Sequence, residues 1–316
     1  MAGFFLKKMQ NFKGRDIIDI NDFSKEELLF ILKTAKKFDP EYVKSDRSNY
    51  TIAQGKIAAL LFFEPSTRTE QSFRSAAQKI GMGIIGFNNT ALTSMDKGET
   101  FADTIRIMES YADVLIMRHP KPGSAKEAAD LAGIPVINSG DGPNQHPTQT
   151  MLDLYTILKQ FGRLDNLKIA LVGNQKHYRT MHALSIALFK FSNNKIFGIS
   201  PKGLEMPDEF RHKNYQDVTI DMRKLNETLK EIKPDIVYAG RIPKEYMEGD
   251  AKKYSYQINK KTLEGLPKQC VIMHPLPRID EVDPEVDASP KAIYFKQAKN
   301  GLYIREALLG LVLGRI

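Results

Sequence analysis

The feature that most constrains the fold is the stretch at residues 56–73, KIAALLFFEPSTRTEQSF, in which an apolar run leads directly into a helical pattern. Residues 57–63 are continuously apolar, which is typical of a strand buried on both faces of a parallel sheet. Pro65 ends the strand, and Ser66 and Thr67 are both suitable N-cap residues for the following helix. The stretch therefore predicts a strand–turn–helix unit of an α/β fold.

The turn between this strand and helix has the composition of an anion site. A helix N-terminus presents unpaired N–H groups and the positive end of the helix dipole. Arg68 falls in the first turn, where the dipole opposes a cation, so stability alone would favour an acidic residue there. Hydroxyls at Ser66, Thr67 and Thr69 beside a guanidinium suit a bound phosphate. On these residues alone, an ordinary cap with a solvated arginine fits equally well.

The composition bounds the class of protein. The chain has 316 residues and 42% hydrophobic content, enough for two domains with separate cores. Its net charge of +8 suits anionic ligands, although a mildly basic, solvated surface explains the surplus better, and no Lys/Arg block indicates a nucleic-acid partner. Its single cysteine, Cys270, permits no internal disulfide and is interpreted as an inert thiol inside a strand.

We expect a soluble, cytoplasmic protein without a membrane partner. The apolar patch within residues 1–8 is too short for a signal peptide. No apolar run approaches the ~20 residues that a membrane span requires.

Local signals place the individual elements. Residues 1–12 have the composition of a loose arm, and Ser24 with Glu27 forms a capping box for a helix ending at about Phe38. Further strands are predicted at 84–87, 114–117, 135–138, 168–172, 195–199, 218–220, 235–238 and 270–273. Further helices are predicted at about 100–111, 124–131, 150–161 and 179–191.

The order of these elements indicates an α/β protein of two domains, each a mainly parallel sheet flanked by helices. A Gly- and Pro-rich segment at 139–149 separates two alternating series. We place a first domain at 1–148 and a second at 149–299. The final helix, at about 300–316, is apolar on too many faces to be free in water, so we expect it to return to the first domain.

Cations, histidines and hydroxyls follow several predicted strands. Ligands of open α/β sheets bind outside the carboxyl ends of the strands. The segments at these ends are Ser66–Thr69, Arg118–Pro120, His146–Gln149, Arg179–Thr180, Gly240–Arg241 and His274–Arg278. Any one cation alone is best explained as a surface charge, but the whole set indicates an anionic substrate with more than one charged group.

Several common chemistries lack their motifs. No GxxxxGK[ST] is present, and Gly173 follows a strand without the later glycines of a dinucleotide-binding turn. The six histidines show no HExxH or comparable spacing, and no GxSxG is present. We therefore expect neither a metal nor a cofactor.

The chain resembles the catalytic chains of the aspartate carbamoyltransferase family over residues 13–316. The matching segments read FFEPSTRTEQSF, KGETFADTIR, YADVLIMRHP, PVINSGDGPNQHPTQTMLDLYTI, RTMHAL, MHPLPRIDEVDPEVD and KAIYFKQAKNGLYIREALLGLVLG. STRT and HPTQ are typical of all carbamoyltransferases. Ornithine enzymes carry HCLP where this chain has HPLP at 274–277, and their SMG loop is missing here, which favours the aspartate branch.

The resemblance implies transfer of the carbamoyl group of carbamoyl phosphate to the amine of L-aspartate, with release of phosphate, in de novo pyrimidine biosynthesis. It also implies a homotrimer with shared active sites, in which the loop carrying Ser94 and Lys97 reaches a neighbouring subunit's site. It leaves open whether a regulatory chain or a dihydroorotase binds.

The resemblance further implies a role for each matching residue. The phosphate would be bound by Ser66, Thr67, Arg68, Thr69 and Arg118. The carbamoyl carbonyl oxygen would be polarised by Thr69, Arg118 and His146. The carbamoyl NH2 would contact Gln149 and the carbonyl groups of Pro275 and Leu276. The carboxylates of aspartate would be bound by Arg179 and Arg241. The catalytic group would comprise Arg68, Thr69, Lys97, Arg118 and His146.

One residue departs from the family pattern. Two positions after Arg241 the family usually has a glutamine that helps to bind aspartate, whereas this chain has Pro243, which offers neither a side-chain donor nor an N–H. A carbamoyltransferase with a different amino acceptor is therefore the alternative. A non-catalytic anion-binding paralogue fits less well, because the carbamoyl-phosphate set is complete.

Overall fold

The structure, a computed structural model, describes residues 12–43, 51–89, 93–247 and 253–316. The chain divides into two compact units, of which the first combines the described residues up to Tyr155 with Lys299–Ile316 and the second is Thr156–Ala298. The division falls inside a helix that starts at Pro147, and the domain boundaries near residues 148 and 299 stay a prediction.

A four-stranded parallel sheet forms the centre of the first unit, in the order β2-β1-β3-β4. Its strands are β1 (Ile57–Phe62), β2 (Gly83–Phe87), β3 (Val114–His119) and β4 (Val136–Asp141). The helices are α1 (Lys25–Ala35), α2 (Thr67–Lys79), α3 (Phe101–Glu109), α4 (Ser124–Leu131) and α5 (Pro147–Phe161). Because β1 is interior to the sheet, its residues 58–62 are all buried, as the unbroken apolar run predicted.

A five-stranded parallel sheet forms the centre of the second unit, in the order β7-β6-β5-β8-β9. Its strands are β5 (Lys168–Val172), β6 (Lys195–Ser200), β7 (Tyr215–Thr219), β8 (Ile236–Ala239) and β9 (Val271–Met273). The helices are α6 (Arg179–Phe189), α7 (Leu225–Ile232) and α8 (Lys260–Gly265).

The C-terminal helix, α9 (Tyr294–Val312), returns to the first unit. All residues at 303–312 are buried, and the Val312 carbonyl accepts a 2.8 Å hydrogen bond from the Gly14 N–H. Two parallel sheets flanked by helices, with the last helix in the first unit from Lys299 on, confirm the predicted fold. None of the described helices is long and apolar enough to cross a membrane.

Several local predictions were wrong. β4 continues through Ser139, Gly140 and Asp141, and α5 begins at Pro147, so the segment at 139–149 is mostly regular structure. The extension is stabilised by Asp141, whose carboxylate accepts hydrogen bonds from the backbone of Gly123 (2.9 Å) and Gln145 (3.0 Å). Proline suits a helix start, because its missing N–H would be unpaired there in any case.

The predicted N-terminal arm also requires correction where it is described. Residues 1–11 lie outside the described ranges, but Phe12 is 1% exposed and stacks on Phe23 and Phe30. At the other end, Cys270 lies one residue before β9 rather than inside a strand. Its burial raises the pKa of the thiol to about 12, which agrees with an unreactive cysteine.

Candidate active site

The β1–α2 turn presents its hydroxyls as the sequence predicted, but not as a conventional cap. Ser66 is the N-cap residue of α2, and its side chain makes no capping hydrogen bond within the described structure. Thr67 and Arg68 are exposed, whereas Thr69 is buried. A Ser66 hydroxyl that is not used to cap the helix favours the anion-site interpretation over the ordinary cap.

The first turn of α2 is anchored by Glu70, which the sequence analysis missed. This carboxylate is 4% exposed, 2.8 Å from the Arg74 Nε and 3.1 Å from the Asn88 side-chain nitrogen. Asn88 directly follows β2, so the contact attaches the start of α2 to the next strand end. The only signal in the sequence was an acidic residue in a helix first turn, which the dipole alone explains.

Arg118 lies beside the β1–α2 turn because β1 and β3 are neighbours. It pairs in register with Phe62, the last residue of β1, and its carbonyl accepts a 2.8 Å hydrogen bond from the Phe63 N–H. Its side chain is 12% exposed, with Nε 3.3 Å from a Glu64 carboxylate oxygen. No described residue accepts a well-aligned hydrogen bond from that buried Nε, so the partly exposed guanidinium retains binding capacity for an anion.

The start of α5 brings the HPTQ residues to the same edge of the sheet. His146 and Thr148 are buried, and β4, which leads to them, pairs with β3. The Gln149 side-chain nitrogen donates a 2.9 Å hydrogen bond to the Asp153 Oδ1 one turn further along α5. The carboxyl ends of β1, β3 and β4 therefore bring together the predicted phosphate and carbamoyl residues of the first unit.

Ser94 and Lys97 lie in a short 3-10 helix, Ser94–Lys97, and both are exposed. The Thr93 hydroxyl accepts a hydrogen bond from the Met95 N–H, and Gly98 adopts a left-handed φ of 95° at the other end. This segment is ordered locally by its own caps, but residues 90–92 before it lie outside the described ranges.

His119 follows Arg118 but has the environment of a structural residue. Its ring packs between Phe63 and Phe101, with centroids at 4.8 Å and 5.5 Å, and its Nδ1 accepts a 2.9 Å hydrogen bond from the Lys121 N–H. Burial lowers the pKa of this imidazole, and Lys121 lowers it further. A neutral ring fixed in this way orients the end of β3.

The two arginines predicted for aspartate follow adjacent strands of the second unit. Arg179 begins α6 after β5, and Arg241 follows β8, which pairs with β5. Tyr178, directly before Arg179, interacts with both the backbone and the side chain of Arg241. The Arg241 Nε is buried without a hydrogen-bond partner in the described part of the chain. The fold therefore brings two arginines that are 62 positions apart in sequence to the ends of paired strands.

The loops that carry these arginines approach each other closely. Gly173 has a φ of +126°, and a Cβ there would lie 2.2 Å from the Gly240 carbonyl oxygen. The buried Tyr256 hydroxyl donates to that carbonyl at 2.7 Å and accepts from the Gly240 N–H at 3.2 Å. Burial and the Glu281 carboxylate keep the pKa of Tyr256 well above its ordinary value, so the hydroxyl remains a donor.

The HPLP segment is shaped by a buried His–Glu pair that the sequence analysis did not identify. The His274 Nδ1 accepts a 2.8 Å hydrogen bond from the Leu276 N–H, which leaves the proton on Nε2, 2.7 Å from the Glu281 carboxylate. The other Glu281 oxygen accepts from the backbone of Ile279 and Asp280, each at 3.1 Å. Leu276 has a left-handed φ of 55°, so this network fixes the orientation of the Pro275–Leu276 carbonyls.

This pair predicts a specific pH dependence of stability. Burial raises the pKa of Glu281, but the hydrogen bonds from His274 and the backbone outweigh it, so the pKa lies below its ordinary value of 4.5. A depressed pKa stabilises the folded state above the unfolded value, and this contribution is lost as pH falls through the folded pKa. Glu281→Gln should therefore cost about 1–3 kcal/mol at neutral pH and flatten the loss of stability on acidification.

Urea unfolding at about pH 7 and about pH 3 measures both effects. Asp280→Asn is the matched control, because Asp280 is an exposed neighbouring acid whose side chain lies outside the pair. Wild-type and Glu281→Gln curves that run parallel with pH would contradict the prediction.

Neither unit shows a metal centre among the described residues. Within those ranges no group of three or more His, Cys, Asp or Glu side chains is placed to hold an ion. The chemistry of the arranged residues is that of fixed cations, hydroxyls and hydrogen-bond donors directed at anionic groups.

The chain belongs to the aspartate/ornithine carbamoyltransferase family. The family profile described as "Aspartate/ornithine carbamoyltransferase, carbamoyl-P binding domain" matches residues 15–159. The profile described as "Aspartate/ornithine carbamoyltransferase, Asp/Orn binding domain" matches residues 165–312.

Individual relatives are aspartate enzymes. The chain is 47% identical over 310 residues to the aspartate carbamoyltransferase catalytic subunit of Thermococcus onnurineus, covering 96% of this chain and 98% of that one. The catalytic subunit of M. jannaschii aspartate transcarbamoylase has a TM-score of 0.86 and 40% identity, over 95% of this chain and 98% of that one. Aspartate transcarbamoylase from Trypanosoma cruzi, solved with carbamoyl phosphate and aspartate, has a TM-score of 0.85 and 32% identity, over 96% and 98% of the two chains. The family assigned from the sequence motifs is confirmed.

Proposed function

We propose that this protein transfers the carbamoyl group of carbamoyl phosphate to the amine of L-aspartate, giving N-carbamoyl-L-aspartate and phosphate in de novo pyrimidine biosynthesis. The observation that carries the proposal is the meeting of the STRT turn, Arg118 and the HPTQ turn at neighbouring strand ends of the first unit. The similarity to aspartate carbamoyltransferases over nearly the whole chain supports the same activity.

The β1–α2 turn would bind the phosphate of carbamoyl phosphate. The Ser66 hydroxyl is not used in capping, Thr67 and Arg68 are exposed at the helix N-terminus, and Thr69 completes the turn. Backbone N–H groups and a guanidinium together satisfy both the charge and the oxygen lone pairs of a phosphate. Arg118 adds a second cation from the adjacent strand end.

The carbamoyl carbonyl oxygen would be polarised by Thr69, Arg118 and His146. The aspartate amine attacks the carbonyl carbon, negative charge builds on this oxygen, and the C–O bond to phosphate then breaks. The departing phosphate accepts the proton that the amine loses, so no cofactor is required. Removing one fixed donor to such an oxyanion costs about 10²–10³ in rate.

The remaining site residues would bind the carbamoyl NH2 group and aspartate. Gln149 and the carbonyl groups of Pro275 and Leu276 would contact the NH2 group. Arg179 and Arg241 would bind the two carboxylates, since a guanidinium pairs with a carboxylate through two parallel hydrogen bonds.

The activity is tested by incubating the protein with carbamoyl phosphate and a panel of amino acids and measuring phosphate and carbamoylated product. We expect product with aspartate well above that with ornithine, glutamate or other α-amino acids. Product with none of the amines would refute the function, and a faster reaction with another amine would refute the choice of acceptor.

A homotrimer with shared active sites is part of the proposal. Ser94 and Lys97 are exposed on a short capped segment, as a loop that serves a neighbouring subunit requires. A cytoplasmic location stays a prediction, as does the absence of a nucleic-acid or membrane partner. Whether a regulatory chain or a dihydroorotase binds to this protein stays open.

Sharing of sites predicts complementation between two inactive variants. Lys97→Ala chains and Arg68→Ala chains should each be inactive alone. When mixed, dissociated and reassembled, they should regain activity, because a site with an intact Arg68 then receives Lys97 from the other variant. Trimers of each variant reassembled alone are the control. Hybrid trimers that form but stay inactive would mean that Lys97 serves its own chain.

A further inference from the structure

Arg305 is a buried cation to which the proposed mechanism gives no role. It lies on α9 in the first unit and is only 3% exposed. Burial lowers the pKa of its guanidinium to about 10, and the charge of Asp153 opposes this shift. The side chain therefore stays charged at neutral pH, although its Nε has no hydrogen-bond partner in the described structure. A buried charge is costly unless other groups pair with it and form hydrogen bonds to it.

The first contact of Arg305 is with the phosphate helix. Its Nη1 donates a 2.9 Å hydrogen bond to the Ser72 hydroxyl, and its guanidinium carbon lies 4.9 Å from the centre of the Phe73 ring. Ser72 and Phe73 are three and four positions after Thr69, so they share its face of α2. Arg305 thus contacts α2 on the face that carries Thr69.

Arg305 also interacts electrostatically with an acidic residue of α5, the helix that carries Gln149. Asp153 is fully buried and interacts with the Arg305 charge. The same carboxylate accepts the 2.9 Å hydrogen bond from the Gln149 side chain, four positions earlier on α5. The Arg305 charge therefore acts on the carboxylate that orients the Gln149 amide.

A glycine on α9 leaves the space that this guanidinium occupies. Gly301 lies four positions before Arg305, and a Cβ there would approach the Arg305 Nη1 to 2.3 Å. Glycine in a helix interior is intrinsically unfavourable, so its presence at this contact agrees with a requirement for the arginine position.

We propose that Arg305 is a positioning residue for the carbamoyl-phosphate site. It holds α2 through the hydrogen bond to Ser72, and its charge acts on Asp153, the acceptor of the Gln149 hydrogen bond. The inference rests on the proposed function, because Thr69 and Gln149 matter only if they contact carbamoyl phosphate. The alternative is that Arg305 only stabilises the packing of α9. A purely structural role would change stability without changing the half-saturating concentration of one substrate selectively.

The test compares Arg305→Met, which keeps the length but removes the charge and the donors, with Arg305→Lys and Ser72→Ala. Half-saturating concentrations of carbamoyl phosphate and of aspartate, kcat and melting temperature are measured for each. Arg305→Met should raise the half-saturating carbamoyl phosphate concentration by about 10-fold or more and lower kcat, with little effect on that of aspartate. Arg305→Lys should recover part of the loss through its charge, and Ser72→Ala should show a smaller loss of the same kind.

A pair of glycine variants keeps the test decisive if Arg305→Met does not fold. The methyl group of Gly301→Ala would meet the Arg305 Nη1 at 2.3 Å and the Leu152 side chain at 2.9 Å, so it displaces the guanidinium. Gly310→Ala on the same helix meets only the side chain of Ile316. Both substitutions raise helix propensity equally. Gly301→Ala should weaken binding of carbamoyl phosphate, measured by calorimetry without aspartate, and Gly310→Ala should not.

Each outcome separates the inference from the proposed function. A wild type that makes no carbamoyl-aspartate refutes the function itself. An active wild type whose Arg305→Met and Gly301→Ala variants keep normal carbamoyl-phosphate binding overturns the positioning role. Equal losses for both substrates, in proportion to a lower melting temperature, would also overturn it.

Discussion

Arg68→Ala should lower turnover by about 10²–10³-fold or more, with almost no loss of stability. Arg68 is exposed in the first turn of α2, where the helix dipole opposes its charge. Removing a cation there should leave the free energy of unfolding unchanged or raise it by about 0.3–1 kcal/mol. The rate would fall because Arg68 would no longer bind the phosphate or stabilise the negative charge that develops as the phosphate leaves.

Lys79→Ala on the same helix is the matched control, because Lys79 is an exposed cation in the last turn of α2. There the dipole favours a cation, so its removal should cost stability slightly and leave turnover unchanged. Arg68→Ala should thus lose turnover and keep its stability, whereas Lys79→Ala should keep its turnover and lose a little stability. Near-normal turnover in Arg68→Ala, or a sharp fall in its melting temperature, would contradict a role in phosphate binding.

Elements of the fold could be predicted where local chemistry leaves a simple pattern in the sequence. The continuous apolar runs of β1 and β5 and the capping box at Ser24 and Glu27 depend on local chemistry, and the structure has all three. The helices α7 and α8 were not predicted, since both are short and lie among polar residues. The extension of β4 was missed because Asp141 is held by a hydrogen bond from Gly123, 18 positions earlier, and a single sequence gives no signal of that pairing.

The candidate site shows the same difference between features that local sequence sets and features that distant contacts set. The STRT and HPTQ residues could be proposed from sequence because they follow strands, and strand ends of a parallel sheet meet at one edge. Arg118 was predicted to follow a strand ending at residue 117, but it lies within the last two residues of β3, at the same edge. The residues that hold these side chains in position could not be proposed in this way. The side-chain partners of Glu70, Glu281 and Arg305 are Arg74, His274 and Ser72, which lie 4, 7 and 233 positions away, and a single sequence gives no signal of those pairings. The sequence identifies residues that would contact the substrate more readily than those that hold them.

The largest effect on the acceptor should come from Arg241→Ala. The Arg241 Nε is buried without a described partner, and the loop that carries it is fixed by Tyr256 and Gly173. A hydrogen bond to a charged group contributes about 1.5–3 kcal/mol, so the half-saturating aspartate concentration should rise by roughly one to two decades. Carbamoyl-phosphate binding should barely change, because its phosphate residues lie in the other unit.

Arg223→Ala is the control for a general loss of positive charge from the second unit, since Arg223 is exposed and paired with Asp221. It should leave both half-saturating concentrations unchanged. If Arg241→Ala weakened carbamoyl phosphate and aspartate equally, Arg241 would not be a specific carboxylate ligand.

Pro243 decides whether aspartate is the best acceptor. It caps a short 3-10 helix, Lys244–Tyr246, with φ −60°, and its carbonyl accepts a 3.1 Å hydrogen bond from the Tyr246 N–H. Glutamine can adopt this backbone, so Pro243→Gln should cost at most about 1 kcal/mol of stability and restore a donor near Arg241. Its affinity for aspartate should be unchanged or tighter, measured by initial rates against aspartate and the amine panel. If the wild type carbamoylated another amine much faster and Pro243→Gln reversed that order, residue 243 would be the specificity switch and aspartate the wrong acceptor.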